Sequence, residues 1–401
     1  MKNNIKLALL LGSMLLNWNC TDLEENILDE SLNPSTEGID EAVAAIAPVY
    51  ANANNNIWRH TNYFSMQEIS TDAINALEPL AETNPQAVVY LAEAKAMRAL
   101  FNHILLDAFG LVFVKDNIDD QSVILRGSEA VDYLISELKA AEPDLSTTTA
   151  VGPGRMTKTG VQALLARIYL NAAVYRDPYG TPNFTAADMD AVIQYTNQVI
   201  NSGEHALSAE YFEIFDDENH TNKELIFAID QRPDLDGHNR MAYFSMSGDF
   251  YPLPEFPSAN GTDAAAITPD FYQTWVDAYG DVDPADADPR FHKDNLINEP
   301  GCVSAEDFEV DRGIYRGLLY GLQHDQGGDP FERCDGDNYV VDLVVNRRSE
   351  VGDPVFHSLE IDFTTNSSHS NGYRVLKYEF SKTSDSGRNK GQADLVVLRL
   401  A

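Results

Sequence analysis

The sequence predicts a mainly α-helical fold, in which a scaffold of stacked helix pairs is followed by an irregular, loop-rich half with short strands. Three observations predict this fold. Apolar residues recur at helical spacing between residues 39 and 203, a motif repeats within that region, and the periodicity then gives way to stretches rich in glycine, proline and aromatic residues. Hydrophobic residues make up 44% of the 401 residues, which allows a large core.

The clearest helical segment runs from Gln86 to Phe109, where apolar residues form one wide stripe. Gly110 is placed to end it, as glycine commonly does after a last helical turn. The same spacing predicts four further helices, at residues 39–54, 128–141, 157–174 and 186–201.

A weak repeat links two of these helices. The motif Ala-x3-Arg-x3-Asn starts at Ala94 and again at Ala163, 163 − 94 = 69 residues later, close to two units of about 34 residues. That unit is the period of tetratricopeptide helix pairs, which stack to bury a continuous core. Chance similarity between amphipathic helices is the alternative. Arg98 and Arg167, on apolar helix faces, are expected to pair with carboxylates across the stack.

The second half has a different character. Leu225–Asp230 is predicted to be a short strand, and residues 231–262 a long loop. A short helix is predicted at Thr268–Ala278, with Trp275 in the core. Residues 311–400 mix short strands and loops.

The first twenty residues have the pattern of an export signal. Lys2 and Lys6 precede the apolar stretch Leu7–Leu16, which is too short to cross a bilayer and leads to Cys20. An apolar segment ending in cysteine is typical of a bacterial lipoprotein signal, in which Cys20 is acylated. We therefore expect a signal peptide at 1–20, a tether at 21–38 and one domain at 39–401, with the helical scaffold at 39–203 and the loop-rich part at 204–401.

The charge restricts the class of ligand. The formal net charge is −35, with 63 acidic and 28 basic residues. Nucleic acid as the main ligand is excluded, because phosphate binding needs a basic face, and an anionic bilayer would repel the chain. A neutral or cationic ligand fits this charge better; solubility alone is the plainer interpretation.

The second half contains candidates for a crosslink and for a cation. Cys302 and Cys334 form either a disulfide or two separate thiols. With no CxxC pair and no clustered histidine, the sequence predicts no zinc site. A run of aspartates has oxygen ligands for Ca²⁺ but lacks the glycine and terminal glutamate of an EF-hand loop, so a solvated loop is the favoured interpretation and no metal or cofactor is predicted. This run comprises Asp281, Asp283, Asp286 and Asp288.

Several segments, in this order, resemble the SusD/RagB family of outer-membrane nutrient-binding lipoproteins. The resemblance covers most of the chain from residue 20 onward. Relatives continue past the position of Ala401, which resembles part of a late helix of the family, so either a fragment or a shortened member is expected. The segments are the acidic run after Cys20, Ser70–Asp72, Glu93–Gly110, Arg155–Lys158, Ala163–Leu170, Glu224–Ile229, Asp288–Arg290, Tyr373–Tyr378 and Val397–Ala401.

The resemblance implies a tetratricopeptide-like scaffold on the cell surface, held to the outer membrane by a lipid anchor. It also implies a partner, a SusC-like barrel transporter powered through TonB, over which such proteins sit as a lid. Ligands across the family are mostly oligosaccharides, with some peptides, and the loop-rich part is expected to bind them.

Glycan binding needs aromatic faces and a few polar groups, and loops commonly carry them. The richest stretch, residues 243–257, is not expected to form a regular helix; its aromatic residues either bind ligand or anchor the loop. Trp58 beside Arg59 is either a sugar-stacking pair or a structural clamp. Asp72 matches a family position near the ligand face, or caps a turn. The candidate binding residues are Trp58, Arg59, Asp72, Tyr243, Phe250, Tyr251 and Phe256.

Common catalytic motifs are missing from the sequence. It contains no GxSxG, HExxH or Walker A motif and no GxGxxG followed by a helix. We therefore predict a binding protein with no catalytic residues. Two alternatives remain: a glycoside hydrolase or lyase, which needs only two suitably placed carboxylates, and a tetratricopeptide adaptor for peptides or proteins.

Overall fold

Helices form the first half of the described chain and short strands most of the second. The computed structural model describes residues 40–56, 62–117, 120–232, 239–262, 266–291, 297–325, 329–347, 351–361, 371–382 and 391–401. The predicted signal peptide, the tether and Cys20 lie outside these residues. The helices are α1 (Glu41–Asn56), α2 (Tyr63–Ala81), α3 (Pro85–Phe109), α4 (Gly127–Ala141), α5 (Thr148–Val151), α6 (Lys158–Arg176), α7 (Ala186–Ser202), α8 (Met241–Ser245), α9 (Pro269–Tyr279) and α10 (Pro284–Ala287).

The scaffold is a succession of packed helices. A three-residue link folds α3 back on α2, and Asn84 caps α3 by accepting a hydrogen bond from the Gln86 N–H at 2.9 Å. Helix α3 packs on α4, α4 on α6 and α6 on α7. Gly110 adopts φ 67° and ends α3, as predicted. The predicted mainly helical class with stacked helix pairs is confirmed. None of the described helices is long and apolar enough to span a bilayer.

Helix α2 is the scaffold element that the sequence pattern missed. Three polar residues, Gln67, Ser70 and Thr71, are buried on its inner face and interrupt the apolar stripe. The Ser70 hydroxyl donates to the Met66 carbonyl at 2.9 Å, and the Thr71 hydroxyl donates to the Lys115 carbonyl at 3.1 Å. Asp72 is exposed and lies in the interior of this helix. It therefore does not cap a turn.

The buried carboxylate of Glu93 connects three segments of the scaffold. Its side chain is 0% exposed and accepts hydrogen bonds from Tyr50 on α1 at 2.6 Å and from Arg155 Nε at 3.1 Å. The Tyr50 hydroxyl in turn accepts the backbone N–H of Met156 at 3.0 Å. Burial raises the pKa of Glu93, while Arg155 and Tyr50 act in the opposite direction. The first and third helices are thus joined to the segment that precedes α6.

The two copies of the repeat have different environments. Arg98 is buried, and its Nε lies 2.9 Å from Glu137 Oε1 on α4, so the predicted ion pair is confirmed. Within the described part of the chain, no carboxylate lies within ion-pair distance of Arg167, so that prediction is wrong. Arg167 lies instead at a surface cleft beside α7. Arg98 has a neighbouring helix that supplies its partner, whereas the corresponding face of α6 is open.

Short antiparallel strands organise the second half. The pairs are β1–β2, β3–β12, β5–β11 and β6–β10, and β9 pairs with β4, β7 and β8. Leu225–Ile229 forms the predicted strand. The strands are β1 (Val112–Val114), β2 (Val123–Leu125), β3 (Leu225–Ile229), β4 (Gly301–Val303), β5 (Gly313–Tyr315), β6 (Gly317–Leu318), β7 (Tyr320–Leu322), β8 (Arg333–Asp335), β9 (Asn338–Leu343), β10 (Phe356–His357), β11 (Arg374–Leu376) and β12 (Leu395–Arg399).

The last described strand differs from the expected late helix. Residues 395–399 pair with β3, and Leu398 is buried in the same core as Ile226 and Phe227. The β-branched Val396 and Val397 favour this extended conformation. The end of the described chain is therefore packed against the scaffold.

A disulfide and a second core stabilise the strand region. Cys302 on β4 is bonded to Cys334 on β8, with the two Cα atoms 6.1 Å apart, and both strands pair with β9. A separate apolar cluster fills the space around Phe250, Leu322 and Phe380. The strand region therefore has its own core.

Glu93→Gln is expected to destabilise the protein by about 3 kcal/mol, because it leaves a buried hydrogen-bond network with an unpaired arginine. The matched control is Glu78→Gln, since Glu78 is largely exposed and lies 3.6 Å from Lys95. An exposed ion pair of this kind contributes less than about 1 kcal/mol. Urea unfolding of the three proteins measures both changes; equal effects would contradict the role assigned to Glu93.

Asp394 predicts a pH dependence of stability. Burial raises its pKa to about 7, although its Oδ1 accepts the Gln231 N–H at 2.9 Å. The unfolded value is about 3.9, so between these pH values the folded protein holds a proton that the unfolded chain has lost. The free energy of unfolding therefore falls as the pH rises from about 4 to about 7.

Asp394→Asn keeps the acceptor for Gln231 and removes the titration. We expect the variant to gain stability relative to the natural protein, by about 2–4 kcal/mol more at pH 8 than at pH 4. Denaturant unfolding at both pH values measures this difference. A stability difference that is the same at both pH values would show that Asp394 titrates normally.

Candidate functional site

An open cleft of about 390 Å³ lies beside α9 and combines aromatic rings with charged groups. We refer to it as the aromatic cleft. Helix α9 forms one wall, and β5, β11 and the end of β12 contribute the others. Its lining residues are Tyr211, Phe271, Trp275, Tyr279, Asp288, Arg290, Phe291, Gly313, Ile314, Val375, Lys377 and Arg399.

Three aromatic side chains line the cleft from α9. Phe271, Trp275 and Tyr279 are four residues apart, which places them on one helix face. The Phe271 and Trp275 ring centroids are 5.4 Å apart, and Phe271 is 54% exposed. Thr268 caps the helix by accepting the Phe271 N–H at 3.4 Å, and Pro269 occupies the first turn. The result is a partly exposed aromatic surface on a rigid element.

Buried rings hold this surface in place. Tyr272, also on α9, is buried and lies 4.9 Å from Tyr373 and 5.8 Å from Phe291, centroid to centroid. Phe291 is also 5.4 Å from Trp275. Trp275 therefore has one side against the core and one at the cleft, which corrects the prediction that it is a core residue.

A carboxylate and a guanidinium form a fixed pair at one edge of the cleft. Arg290 Nε lies 2.8 Å and 2.9 Å from the two oxygens of Asp288, and the Tyr279 hydroxyl donates to Asp288 as well. The Arg290 hydrogen bonds hold the pKa of Asp288 well below its usual range. Asp288 is therefore ionised at physiological pH and accepts rather than donates hydrogen bonds.

The other edge is basic. The Arg399 guanidinium lies 5.1 Å from the centroid of the Tyr211 ring and donates to Glu224 Oε1 at 3.3 Å. Lys377, directly after β11, is exposed at the rim. The cleft thus offers ring faces and charged hydrogen-bonding groups, the combination that sugar rings require.

The predicted candidate residues that the structure describes are dispersed, and none of these lines the cleft. Trp58 and Arg59 lie outside the described residues. Tyr243 lies on α8, which corrects the expectation of no regular helix in residues 243–257, and its ring contacts the Arg240 guanidinium 4.6 Å away. The exposed Asp72 on α2 does not line the cleft.

The aromatic residues after α8 act mainly as anchors. Phe250 is 2% exposed, and its ring lies where a side chain at Gly321 would be. Tyr251 packs edge-on against His324, with centroids 4.2 Å apart. Phe256 lines a separate cavity of about 60 Å³, which is small for a sugar ring. These side chains are partly or fully buried against the second core, as most loop aromatics are.

Two of the four aspartates in the run form ion pairs with arginines. Asp283 Oδ1 lies 3.0 Å from Arg316, and Asp288 is paired with Arg290. Within the described ranges, no three acidic, histidine or cysteine side chains gather as a metal site would require. The four aspartates therefore do not converge on one point.

Parts of the sequence are similar to two known proteins. No family model matches the chain. The starch-binding protein SusD of Bacteroides thetaiotaomicron is 31% identical over 154 residues, which are 37% of this chain and 26% of that protein. A SusD-like protein of Bacteroides ovatus is 24% identical over 181 residues, 43% of this chain and 32% of that protein. The matched part thus spans about a third or less of either relative.

A solved structure extends the similarity in fold. A SusD superfamily protein from Bacteroides fragilis superposes with a TM-score of 0.55 at 13% identity, covering 90% of this chain and 72% of that one. Stacked helix pairs followed by a strand-and-loop half are thus the fold that this chain shares with that protein. In sequence, this chain is similar to SusD and to a SusD-like protein over about two fifths of its length.

The assignment of Phe250 as an anchor and Phe271 as a cleft residue is testable by stability. Phe250→Ala is expected to cost about 3–5 kcal/mol, because it leaves a large cavity in the second core. Phe271→Ala is expected to cost less than about 1 kcal/mol, because the ring is half exposed. Guanidinium chloride unfolding compares the two; a larger loss for Phe271→Ala would reverse the assignment.

Proposed function

We propose that this protein binds an oligosaccharide in the aromatic cleft and performs no catalysis on it. One observation carries the proposal: Phe271 and Trp275 present partly exposed rings, 5.4 Å apart, beside fixed charged groups. Sugar rings have apolar faces that stack on aromatic side chains and hydroxyls that bond to carboxylates and guanidinium groups. The name of the Bacteroides thetaiotaomicron relative, a starch-binding protein, supports the same class of ligand.

We further propose that the protein works at the cell surface and delivers its ligand to a SusC-like, TonB-dependent transporter. Partial sequence similarity to SusD and to a SusD-like protein supports this role. The lipoprotein-like pattern that ends at Cys20 supports anchoring to the outer membrane. Co-purification of a barrel protein with the full-length chain from its native membrane would test the partnership.

Phe271→Ala is expected to weaken oligosaccharide binding about tenfold, equivalent to about 1.4 kcal/mol, because the ligand loses one stacking face. Affinity electrophoresis against a polysaccharide panel identifies a ligand, and calorimetry with its oligosaccharides measures the change. Trp275→Phe keeps a ring at the same place and is expected to weaken binding less than Phe271→Ala does.

Tyr179→Ala is the matched control, because Tyr179 is almost fully exposed and does not line the cleft. Equal binding by Phe271→Ala and the natural protein would contradict the proposed site. New reducing ends after incubation with the ligand would instead favour the glycoside hydrolase alternative.

A further inference from the structure

The rim of the aromatic cleft is basic although the whole protein is strongly acidic. Of the described residues that line it, Arg290, Lys377 and Arg399 are basic and Asp288 is acidic. The full chain has 63 acidic and 28 basic residues. A local excess of basic side chains in such a chain attracts negative charge to this one place.

The two arginines are paired but retain free donors. Arg290 uses Nε and one terminal nitrogen for Asp288, and Arg399 uses Nη1 for Glu224. A guanidinium group has five N–H donors, so each arginine still has N–H groups for a ligand. Their geometry suits a planar carboxylate better than a lone hydroxyl.

Lys377 adds a positive charge at the rim that no described carboxylate neutralises within ion-pair distance. Its ammonium lies 5.7 Å from the centroid of the Phe215 ring. Among the described carboxylates, none lies within ion-pair distance of it. An anionic group bound at the rim would supply the missing partner, and the four-carbon stem of lysine lets the ammonium adjust to its position.

The net charge of −35 does not cancel this local effect. At physiological ionic strength, charges further apart than about 8 Å are largely screened. A ligand inside the cleft is in direct contact with the rim, where screening is weaker. The nearest side chains therefore decide the preferred ligand charge.

We propose that the aromatic cleft selects acidic oligosaccharides, whose sugar rings carry carboxylate groups. A ring stacks on Phe271 and Trp275, while its carboxylate meets Lys377 and the free N–H groups of Arg399. The inference rests on the proposed glycan-binding function and names the ligand class of the same site. It replaces the neutral or cationic ligand that the total charge suggested.

Matched ligand pairs test the inference. Oligogalacturonides are compared with their methyl esters, alginate oligosaccharides with their carboxyl-reduced forms, and chondroitin sulfate with its desulfated form, all by calorimetry with the full chain. We expect the carboxylate member of at least one of the first two pairs to bind at least about fivefold more tightly than its neutral partner. This preference should shrink as salt is raised.

Lys377→Met removes the charge and keeps most of the apolar stem. It is expected to weaken binding of the acidic member about fivefold and to leave the neutral member unchanged. The control is Lys223→Met, which makes the same change in net charge at an exposed position that does not line the cleft. This variant is expected to leave the binding of both the acidic and the neutral member unchanged. Equal effects of the two variants would attribute the preference to net charge and overturn the inference.

The remaining outcomes separate the two proposals. Equal or tighter binding of the neutral members, still weakened by Phe271→Ala, would overturn the acidic ligand class and keep glycan binding. A preference confined to the sulfated ligand would overturn the carboxylate assignment. Absence of binding across the panel would overturn both proposals.

Discussion

The buried carboxylate of Glu93 is the constraint on which the helical scaffold depends. A charged group without water is stable only when its hydrogen bonds are satisfied, and here Tyr50 and Arg155 satisfy them from two distant parts of the chain. The network therefore requires α1, α3 and the segment before α6 to be in place together. Arg98 and Glu137 form a second such pair between α3 and α4, and both side chains are nearly inaccessible to water. Pairs of this kind favour one arrangement of the helices because a shifted helix would leave a buried charge unpaired.

The scaffold positions the cleft through one pair of strands. β3 and β12 pack against α6, and Phe227 and Leu398 belong to the core of the helical half. β12 then delivers Arg399 to the edge of the cleft, where Glu224, the residue before β3, accepts its hydrogen bond. The wall formed by α9 is fixed by the packing of Tyr272 against Phe291. Rigid elements on both sides keep the aromatic surface and the basic rim at a constant separation, as a pre-formed binding site requires.

The cleft shows that total charge is a poor guide to a binding site. Solubility and long-range repulsion depend on the sum of all charges, and this sum is strongly negative. Recognition depends on the few groups that touch the ligand, and three of the four charged residues that line the aromatic cleft are basic. Asp288 belongs to the loop that the sequence predicted to be solvated, yet it lines the cleft and is paired with Arg290. Its carboxylate orients the Arg290 guanidinium instead of binding a metal ion.

The sequence by itself determined the helical class, most helix boundaries and the family resemblance, because these depend on periodicity and on short local motifs. The signal for the cleft was also present, as aromatic residues four apart at Phe271, Trp275 and Tyr279, but the same spacing is typical of a buried helix face. Only the tertiary structure decided that this face is open while Phe250 is covered, since exposure depends on which distant segments pack against each ring. It also decided that three basic residues far apart in the chain line the same cleft. Periodicity records local conformation, whereas the cleft depends on contacts between residues that the linear chain holds apart.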